Sequence, residues 1–222
     1  MLDDKVVVIT GASGRLGSRI VQRFVDDGVM VAAVYRSEEE AAAFNTTHPG
    51  KSEAFAIDLA KEAHVRSGFD QILERFYRID AVIHAVGTWE AHPLAKTTLE
   101  DWRRVMDVNL TSTFLCFREA LRVMEGPGRL IAFASRQGAD RAVAEQAAYA
   151  AAKAGLIRLV EAISAEYADR GITAHAVAPS TILFANRSGG VYADDLINLC
   201  RMLVGTIGRA VSGATIRAYG DG

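Results

Sequence analysis

A tyrosine and a lysine four residues apart are the clearest candidates for chemistry in this sequence. Tyr149 and Lys153 lie in residues 146–170, whose periodicity predicts a helix. Residues i and i+4 share one face of a helix, so the phenol and the ammonium are expected to be neighbours. A neighbouring cation favours phenolate and would lower the tyrosine pKa from about 10 toward neutrality. The pair therefore predicts a general acid that donates a proton to a carbonyl oxygen.

Two further polar residues are candidates for the same site. Ser135 directly follows a predicted strand, residues 130–134, and Asn109 lies within the predicted helix 99–125 that precedes this strand. Either residue alone is better explained structurally, Ser135 as the cap of a helix or turn and Asn109 as a buried amide that bonds to its own helix. Beside the tyrosine and the lysine, both become candidate catalytic residues.

A glycine-rich segment follows the first predicted strand. Residues 11–17 read Gly-Ala-Ser-Gly-Arg-Leu-Gly and connect a predicted strand, 5–10, to a predicted helix, 16–27. Glycines let a pyrophosphate approach the backbone, and the helix N-terminus supplies N–H groups and a positive dipole end. The alternative is a tight turn without a ligand, but the position after the first strand favours dinucleotide binding. The candidate contacts are Gly11, Ser13, Gly14, Arg15, Leu16 and Gly17.

The end of the second predicted strand indicates which dinucleotide is bound. An acid at this position usually holds the free 2′-hydroxyl of the adenosine ribose. Residues 34–37 read Val-Tyr-Arg-Ser, with no acid before Glu38. Arg36 could instead bind a 2′-phosphate through a charge-assisted hydrogen bond worth about 1.5–3 kcal/mol, and Arg15 could add a second charge. Unless both arginines are only solvated surface residues, the sequence favours NADP(H) over NAD(H).

The composition excludes several other classes of function. The chain has 222 residues, of which 50% are hydrophobic and 23% charged, with a net charge of −2 at pH 7. Without a basic excess a nucleic-acid partner is not expected, and no apolar run approaches the roughly 20 residues of a membrane span. The histidines and the two cysteines, Cys116 and Cys200, show no metal-ligand spacing, so no metal is expected. This cysteine usage favours a reducing, cytoplasmic location.

Short apolar runs alternate with helical periodicity along the chain. Strands are predicted at residues 5–10, 29–35, 54–57, 81–85, 130–134, 173–178 and 215–218. Helices are predicted at residues 16–27, 38–45, 61–76, 99–125, 146–170 and 193–203. Since the strands are nearly all apolar rather than alternating, helices should cover both faces of their sheet. The sequence thus predicts an α/β fold, a doubly wound parallel sheet of the Rossmann type in a single domain, 1–222.

Taken together, these motifs resemble those of the short-chain dehydrogenase/reductase family, in particular its short-length branch of carbonyl and 3-oxoacyl reductases. The resemblance covers essentially the whole chain and rests on residues 10–17, 58–59, 84–87 (His-Ala-Val-Gly), 109–110, 128–135, 149–156 (Tyr-Ala-Ala-Ala-Lys-Ala-Gly-Leu) and 178–181 (Ala-Pro-Ser-Thr). The separation of 14 residues between Ser135 and Tyr149 also suits the family.

The resemblance implies a role for each candidate. Tyr149 would be the general acid in carbonyl reduction and the base in alcohol oxidation. Lys153 would lower the tyrosine pKa and hold the nicotinamide ribose. Ser135 would bind the substrate carbonyl, and Asn109 would position a water that links Lys153 to solvent. Further cofactor contacts are implied for Asp58 and Leu59 at the adenine, for Ala85, Val86 and Gly87 after the fourth strand, and for Pro179, Ser180, Thr181 and Ile182 at the nicotinamide. A homodimer or homotetramer is also implied.

The sequence departs from the family's pattern at three places. Gly14 comes one residue earlier than usual, with Arg15 in the expected glycine position, a spacing typical of the longer epimerase-type branch. His84 and Ala85 replace asparagines, and Ser180 replaces a glycine. No departure removes a candidate catalytic group, so the favoured function is an NADP(H)-dependent oxidoreductase acting on a small carbonyl or alcohol substrate. The alternative is a redox sensor or scaffold that binds NADP(H) without turnover. An epimerase is disfavoured because 222 residues leave no room for the added substrate domain of that branch.

Overall fold

A central sheet of seven parallel strands organises the protein in the computed structural model, which describes residues 2, 4–48, 50–185 and 187–221. The strands in chain order are β1 (Val6–Thr10), β2 (Met30–Tyr35), β3 (Glu53–Ala56), β4 (Ala81–His84), β5 (Arg129–Phe133), β6 (Thr173–Pro179), β7 (Ile182–Leu183), β8 (Val191–Tyr192) and β9 (Thr215–Ala218). Strands β7 and β8 pair separately, and the main sheet has the order β3-β2-β1-β4-β5-β6-β9.

The order of the strands reverses between β1 and β4. The chain first builds outward from β1 through β2 to β3, and then returns to place β4 on the other side of β1. Thr10 and His84, the last residues of these two strands, are partners in the parallel register. In doubly wound sheets the ligand crevice opens beyond the carboxyl ends of the strands at such a reversal. This edge is therefore where the functional site is expected.

Helices cover both faces of the sheet. They are α1 (Arg15–Asp26), α2 (Glu38–Thr47), α3 (Glu62–Phe76), α4 (Leu99–Met106), α5 (Ser112–Val123), α6 (Arg136–Ala139), α7 (Ala147–Glu166) and α8 (Ala193–Val204). One core contains Phe69 of α3, Phe117 of α5 and Leu156 of α7, and the other contains Phe24 of α1 and Leu196 of α8. Every residue of β1 and β5 is buried, which is why these strands are apolar except for Thr10 and Arg129 at their ends. The predicted fold class is confirmed.

The predicted helix 99–125 is wrong in its middle. It is interrupted by a π-helical segment, Asp107–Thr111, that separates α4 from α5. Three side chains in this region donate hydrogen bonds to the carbonyl four residues earlier: Asn109 Nδ2 to Val105 (2.9 Å), Ser112 Oγ to Val108 (2.7 Å) and Thr113 Oγ1 to Asn109 (3.3 Å). These bonds compete with the α-helical backbone ladder, so the wider π turn becomes favourable.

Other differences lie at element ends and in short elements. The predicted helix 146–170 ends at Glu166 and is followed by a 3-10 turn, Ala168–Arg170. Helix α6 has four residues and β7 and β8 have two each, lengths too short to show a sequence period. Within the described part of the chain, no helix is long and apolar enough to cross a membrane.

Candidate active site

Two adjoining clefts lie at the carboxyl edge of the sheet and share the residues that follow β4. The first cleft, with a volume of about 340 Å³, is lined by Gly11, Ser13, Gly14, Val34, Tyr35, Arg36, Ile57, Asp58, Leu59, Ala60, Ala85, Val86, Gly87, Asp107, Val108 and Ser112. The second, of about 490 Å³, is lined by Leu16, Ala85, Val86, Gly87, Thr88, Trp89, Asn109, Phe133, Ala134, Ser135, Arg136, Gln137, Tyr149, Lys153, Pro179, Ser180, Thr181 and Ile182. The clefts are called here the adenosine-side cleft and the catalytic cleft.

Most of the predicted site residues line one of these clefts. Arg15 and Gly17 do not. The Arg15 guanidinium lies over the Phe184 ring, 4.1 Å from its centroid, and Arg19 of the same helix donates to the Phe184 carbonyl. Gly17 instead allows close packing, because a Cβ there would lie 2.0 Å from the Gly11 carbonyl oxygen. This contact draws the first turn of α1 against the glycine-rich segment.

The start of α1 is suited to a phosphate group. Its N-cap residue is Gly14, no side chain caps the helix, and the first turn contains no acidic residue. The first N–H groups of a helix and its dipole attract an anion when no side chain satisfies them. Since Gly14 also lines the adenosine-side cleft, this end of α1 fits the pyrophosphate of a dinucleotide.

At the far end of the adenosine-side cleft, Arg36 and Asp58 face the space from the ends of two strands. Arg36 is exposed. Partial burial alone would raise the pKa of Asp58, but hydrogen bonds from the Ala60 amide and Lys61, together with the charges of Lys61 and Arg36, hold that pKa below its usual value. The cleft thus carries an exposed guanidinium beside an ionised carboxylate that is already bonded to Ala60 and Lys61.

Tyr149, Ser135 and Lys153 come together in the catalytic cleft. Tyr149, on the first turn of α7, lies beside Ser135 at the end of β5, close enough for the serine hydroxyl to lower the tyrosine pKa. Ser135 also caps α6, because its Oγ accepts from the Gly138 amide at 3.2 Å. Lys153 is buried one turn along α7 and donates to the Phe133 carbonyl oxygen at 2.7 Å. The structure therefore combines the capping role of Ser135 with the contact expected of a catalytic residue.

The predicted lowering of the Tyr149 pKa is wrong for this structure. Burial raises the pKa of the Tyr149 hydroxyl above its usual value of 10.0, and the neighbouring Ser135 hydroxyl opposes this rise only in part. The Lys153 Nζ lies 5.9 Å from the centroid of the tyrosine ring and bonds to the backbone instead. Burial lowers the pKa of Lys153 from 10.5 to about 8. Tyr149 is consequently protonated at neutral pH, the form that a proton donor needs.

Asn109 connects the helical region to the loop after β4. Its Nδ2 donates to the carbonyls of Val105 (2.9 Å) and Thr88 (3.0 Å), and its Oδ1 accepts from the Thr88 amide (3.2 Å). A Cβ at Gly87 would lie 3.0 Å from this Oδ1 and 3.2 Å from Lys153 Nζ, so a larger residue would require these side chains to shift. Asn109 bonds to its own helix, as predicted for a buried helical amide, and it also holds the backbone of Thr88 in place.

His84 replaces a family asparagine and forms a buried network under the site. Its Nδ1 lies 2.8 Å from Thr10 Oγ1, and its Nε2 lies 3.1 Å from Ser112 Oγ. Because Ser112 donates its own proton to the Val108 carbonyl, Nε2 must donate and Nδ1 must accept. Burial, with a smaller contribution from the charge of Lys153, lowers the pKa of His84 from 6.5 to about 3. A neutral imidazole thus ties the ends of β1 and β4 to the start of α5.

Six residues that line the catalytic cleft are not among the predicted site residues: Thr88, Trp89, Phe133, Ala134, Arg136 and Gln137. Their only sequence signal is position, within two residues of the motif residue Gly87 or of the candidate Ser135. Among the described residues, no three His, Cys, Asp or Glu side chains are grouped so as to hold a metal ion.

Comparisons with known proteins agree with this geometry. The sequence model of the family described as short chain dehydrogenase matches residues 5–190. A D-threitol dehydrogenase from Mycolicibacterium smegmatis is 31% identical over 186 residues, 82% of this chain and 72% of that protein. A 3-oxoacyl-[acyl-carrier-protein] reductase from Synechocystis is 33% identical over 187 residues, 82% of this chain and 75% of the other. The crystal structure of a blue fluorescent protein from a metagenomic library, in complex with NADPH, superimposes with a TM-score of 0.89 at 28% identity, covering 99% of this chain and 98% of that one.

Proposed function

This chain belongs to the short-chain dehydrogenase family of oxidoreductases, and from that premise we propose that it reduces a carbonyl substrate to an alcohol with NADPH. The observation that carries the proposal is that Tyr149, Ser135 and Lys153 line one cleft, which shares the residues after β4 with the cleft of the glycine-rich segment. A proton donor and a second hydroxyl thus lie beside the space in which a nicotinamide would fit.

In the proposed reaction, Ser135, Tyr149 and Lys153 each have a separate role. Ser135 Oγ donates a hydrogen bond to the substrate carbonyl oxygen and orients it toward Tyr149. The Tyr149 hydroxyl transfers its proton to this oxygen as negative charge develops there, and the resulting phenolate is reprotonated from solvent. When bound, NADPH supplies the hydride that reduces the carbonyl carbon and is itself oxidised to NADP⁺. Lys153, buried and cationic below pH of about 8, stabilises the phenolate and holds the ribose hydroxyls.

The preference for NADP(H) over NAD(H) rests on Arg36. This guanidinium is exposed in the adenosine-side cleft, whereas the nearby Asp58 carboxylate is bonded to Ala60 and Lys61. A ribose 2′-phosphate would therefore meet a positive charge, while an NADH ribose would find no carboxylate at the end of β2. Arg15 is a less direct contributor because its guanidinium is stacked on Phe184.

Three further proposals concern the protein as a whole. We propose that residues 1–222 form one dinucleotide-binding domain that includes the catalytic site, since the main sheet draws strands from Val6 to Ala218. A homodimer or homotetramer is proposed from family resemblance, to be tested by light scattering on the purified protein. A cytoplasmic location is proposed because both cysteines are unpaired and buried.

The function is tested by measuring NADPH oxidation at 340 nm against a panel of ketones, quinones, oxoacyl thioesters and pterins, with NADH in parallel. We expect turnover with at least one class and a higher kcat/KM for NADPH than for NADH. Cofactor binding is measured separately from the fluorescence of NADPH. Tight binding without turnover of any carbonyl would instead support a redox sensor or scaffold.

A further inference from the structure

A large aromatic side chain is exposed inside the catalytic cleft. Trp89 is 60% exposed and lines the same cleft as Ser135 and Tyr149. The other large hydrophobic residues that are at least about a third exposed in the described chain, such as Leu94 and Phe114, lie outside this cleft. An indole left in contact with water at a reaction site is a surface that a ligand can cover.

The backbone on both sides of Trp89 is firmly held. Both backbone groups of Thr88 are bonded to the Asn109 side chain. The Glu90 carboxylate accepts two hydrogen bonds from Arg104, at 3.1 and 2.7 Å. The His92 amide donates to the Glu145 carbonyl at 2.7 Å, which joins this loop to the segment that leads into α7. The indole is therefore carried by an anchored loop, so binding a ligand does not require this part of the backbone to be ordered first.

The surroundings of Trp89 in the cleft are mixed. Arg136, Gln137, Ser180 and Thr181 are polar, whereas Leu16, Val86, Pro179 and Ile182 are apolar. Among the large hydrophobic side chains that the fold leaves exposed, the indole of Trp89 is the one that presents a planar face to the cleft in the described chain. Aromatic faces bind planar rings through dispersion and offset stacking, beyond the burial of apolar area.

We propose that Trp89 is a substrate-recognition platform and that the reacting carbonyl is attached to a planar, conjugated ring. This proposal rests on the proposed reduction of a carbonyl by NADPH. The ring stacks on the indole while its carbonyl oxygen reaches Ser135 and Tyr149. Asn109 is then a positioning residue, because it fixes the loop that carries the indole.

The test compares two ketones of the same skeleton, acetophenone with a planar ring and cyclohexyl methyl ketone with a saturated one. Wild-type protein, Trp89→Leu, Trp89→Phe and the control Trp102→Leu are measured with saturating NADPH. Trp102 is the second tryptophan of the chain and does not line the cleft. Conjugation changes the intrinsic reactivity of the ketone equally in every variant, so the quantity of interest is the ratio of the two kcat/KM values.

In Trp89→Leu this planar-to-saturated ratio should fall by about 2- to 12-fold, mainly through KM, as expected for the loss of a stacked aromatic surface. Trp89→Phe should restore most of the ratio, and Trp102→Leu should leave it unchanged. An equal ratio in wild type and Trp89→Leu overturns the proposal that Trp89 is a substrate-recognition platform. If neither ketone is reduced, the proposed reduction fails for ketones of this kind. The role of Trp89 is then tested separately, by measuring acetophenone binding to the NADP⁺ complex with saturation-transfer NMR. Acetophenone should then bind to wild type more tightly than to Trp89→Leu, and equal binding, or none to either, overturns the proposal.

Discussion

The Lys153 Nζ donates a hydrogen bond to the Phe133 carbonyl oxygen at 2.7 Å and lies 5.9 Å from the centroid of the Tyr149 ring. Helical spacing does bring the two side chains to the same cleft, but the ammonium is anchored to the end of β5. Tyr149 lies beside Ser135 at that same end. The strand therefore positions both groups, and Lys153 makes its hydrogen bond to the backbone rather than to the Tyr149 hydroxyl.

The affinity for NADPH should depend on the charge of Lys153. Burial places the pKa of this lysine at about 8, so the cationic form that binds the ribose is lost as the pH rises through that value. We expect the Kd for NADPH, measured by fluorescence titration, to increase between pH 7 and pH 10. Lys153→Met should bind NADPH more weakly at pH 7, should lose turnover, and should show no transition near pH 8. A similar transition in that variant would assign the titration to another group.

Cofactor selectivity should depend on Arg36. Replacing it by aspartate places a carboxylate against the 2′-phosphate and provides an acceptor for a ribose hydroxyl. Arg36→Asp should weaken NADPH binding by about 10- to 100-fold and improve NADH relative to NADPH. The matched control is Arg66→Asp, the same charge reversal at an exposed position of α3 that lines neither cleft. If both variants keep the wild-type ratio of the two affinities, Arg36 is only a solvated surface charge.

Acid should destabilise the protein through His84. Because burial lowers its folded-state pKa from 6.5 to about 3, the unfolded chain binds more protons between these values. The free energy of unfolding should therefore fall as the pH drops from about 7 toward 3, with a share of about 4 kcal/mol from this residue. Burial of His175, whose pKa is lowered to about 4, acts in the same direction.

Urea unfolding at several pH values checks the His84 prediction. His84→Asn should reduce the pH dependence between pH 4 and pH 7, whereas His64→Asn, a change at an exposed position of α3, should not. Identical pH dependence in the His84 variant and the wild type would show that the imidazole does not remain neutral in the folded state.

The sequence predicted the framework of the site better than its chemistry. The apolar strands and the glycine-rich segment determine where the clefts open. Both can be predicted because periodicity and turn geometry depend on residues that are close in sequence. The hydrogen bond of Lys153 to Phe133 joins residues that are 20 positions apart, and the raised pKa of Tyr149 follows from burial by the whole fold. The π-helical segment depends on side chains that compete with the backbone, which a helical period does not show.

Two further features could not be predicted because they depend on long-range contacts. Arg15 has the residue type expected of a phosphate ligand, but its stacking on Phe184 brings together residues from α1 and from the segment after β7. Trp89 is a residue type that is often buried, but the fold leaves it 60% exposed in the catalytic cleft, next to Thr88 and Glu90, which are bonded to Asn109 and Arg104. The position of each side chain depends on contacts between segments that are distant in sequence.

The central claim is that the Tyr149 hydroxyl donates the proton in an NADPH-dependent carbonyl reduction, and Tyr149→Phe tests it most directly. The variant keeps the aromatic ring on α7 and removes only the hydroxyl that lies beside Ser135. With the best substrate of the panel, its kcat should be about 10²- to 10⁴-fold below that of the wild type, the usual contribution of a positioned general acid, while the Kd for NADPH stays within about twofold. Turnover near the wild-type rate, with NADPH still bound, would contradict the assignment.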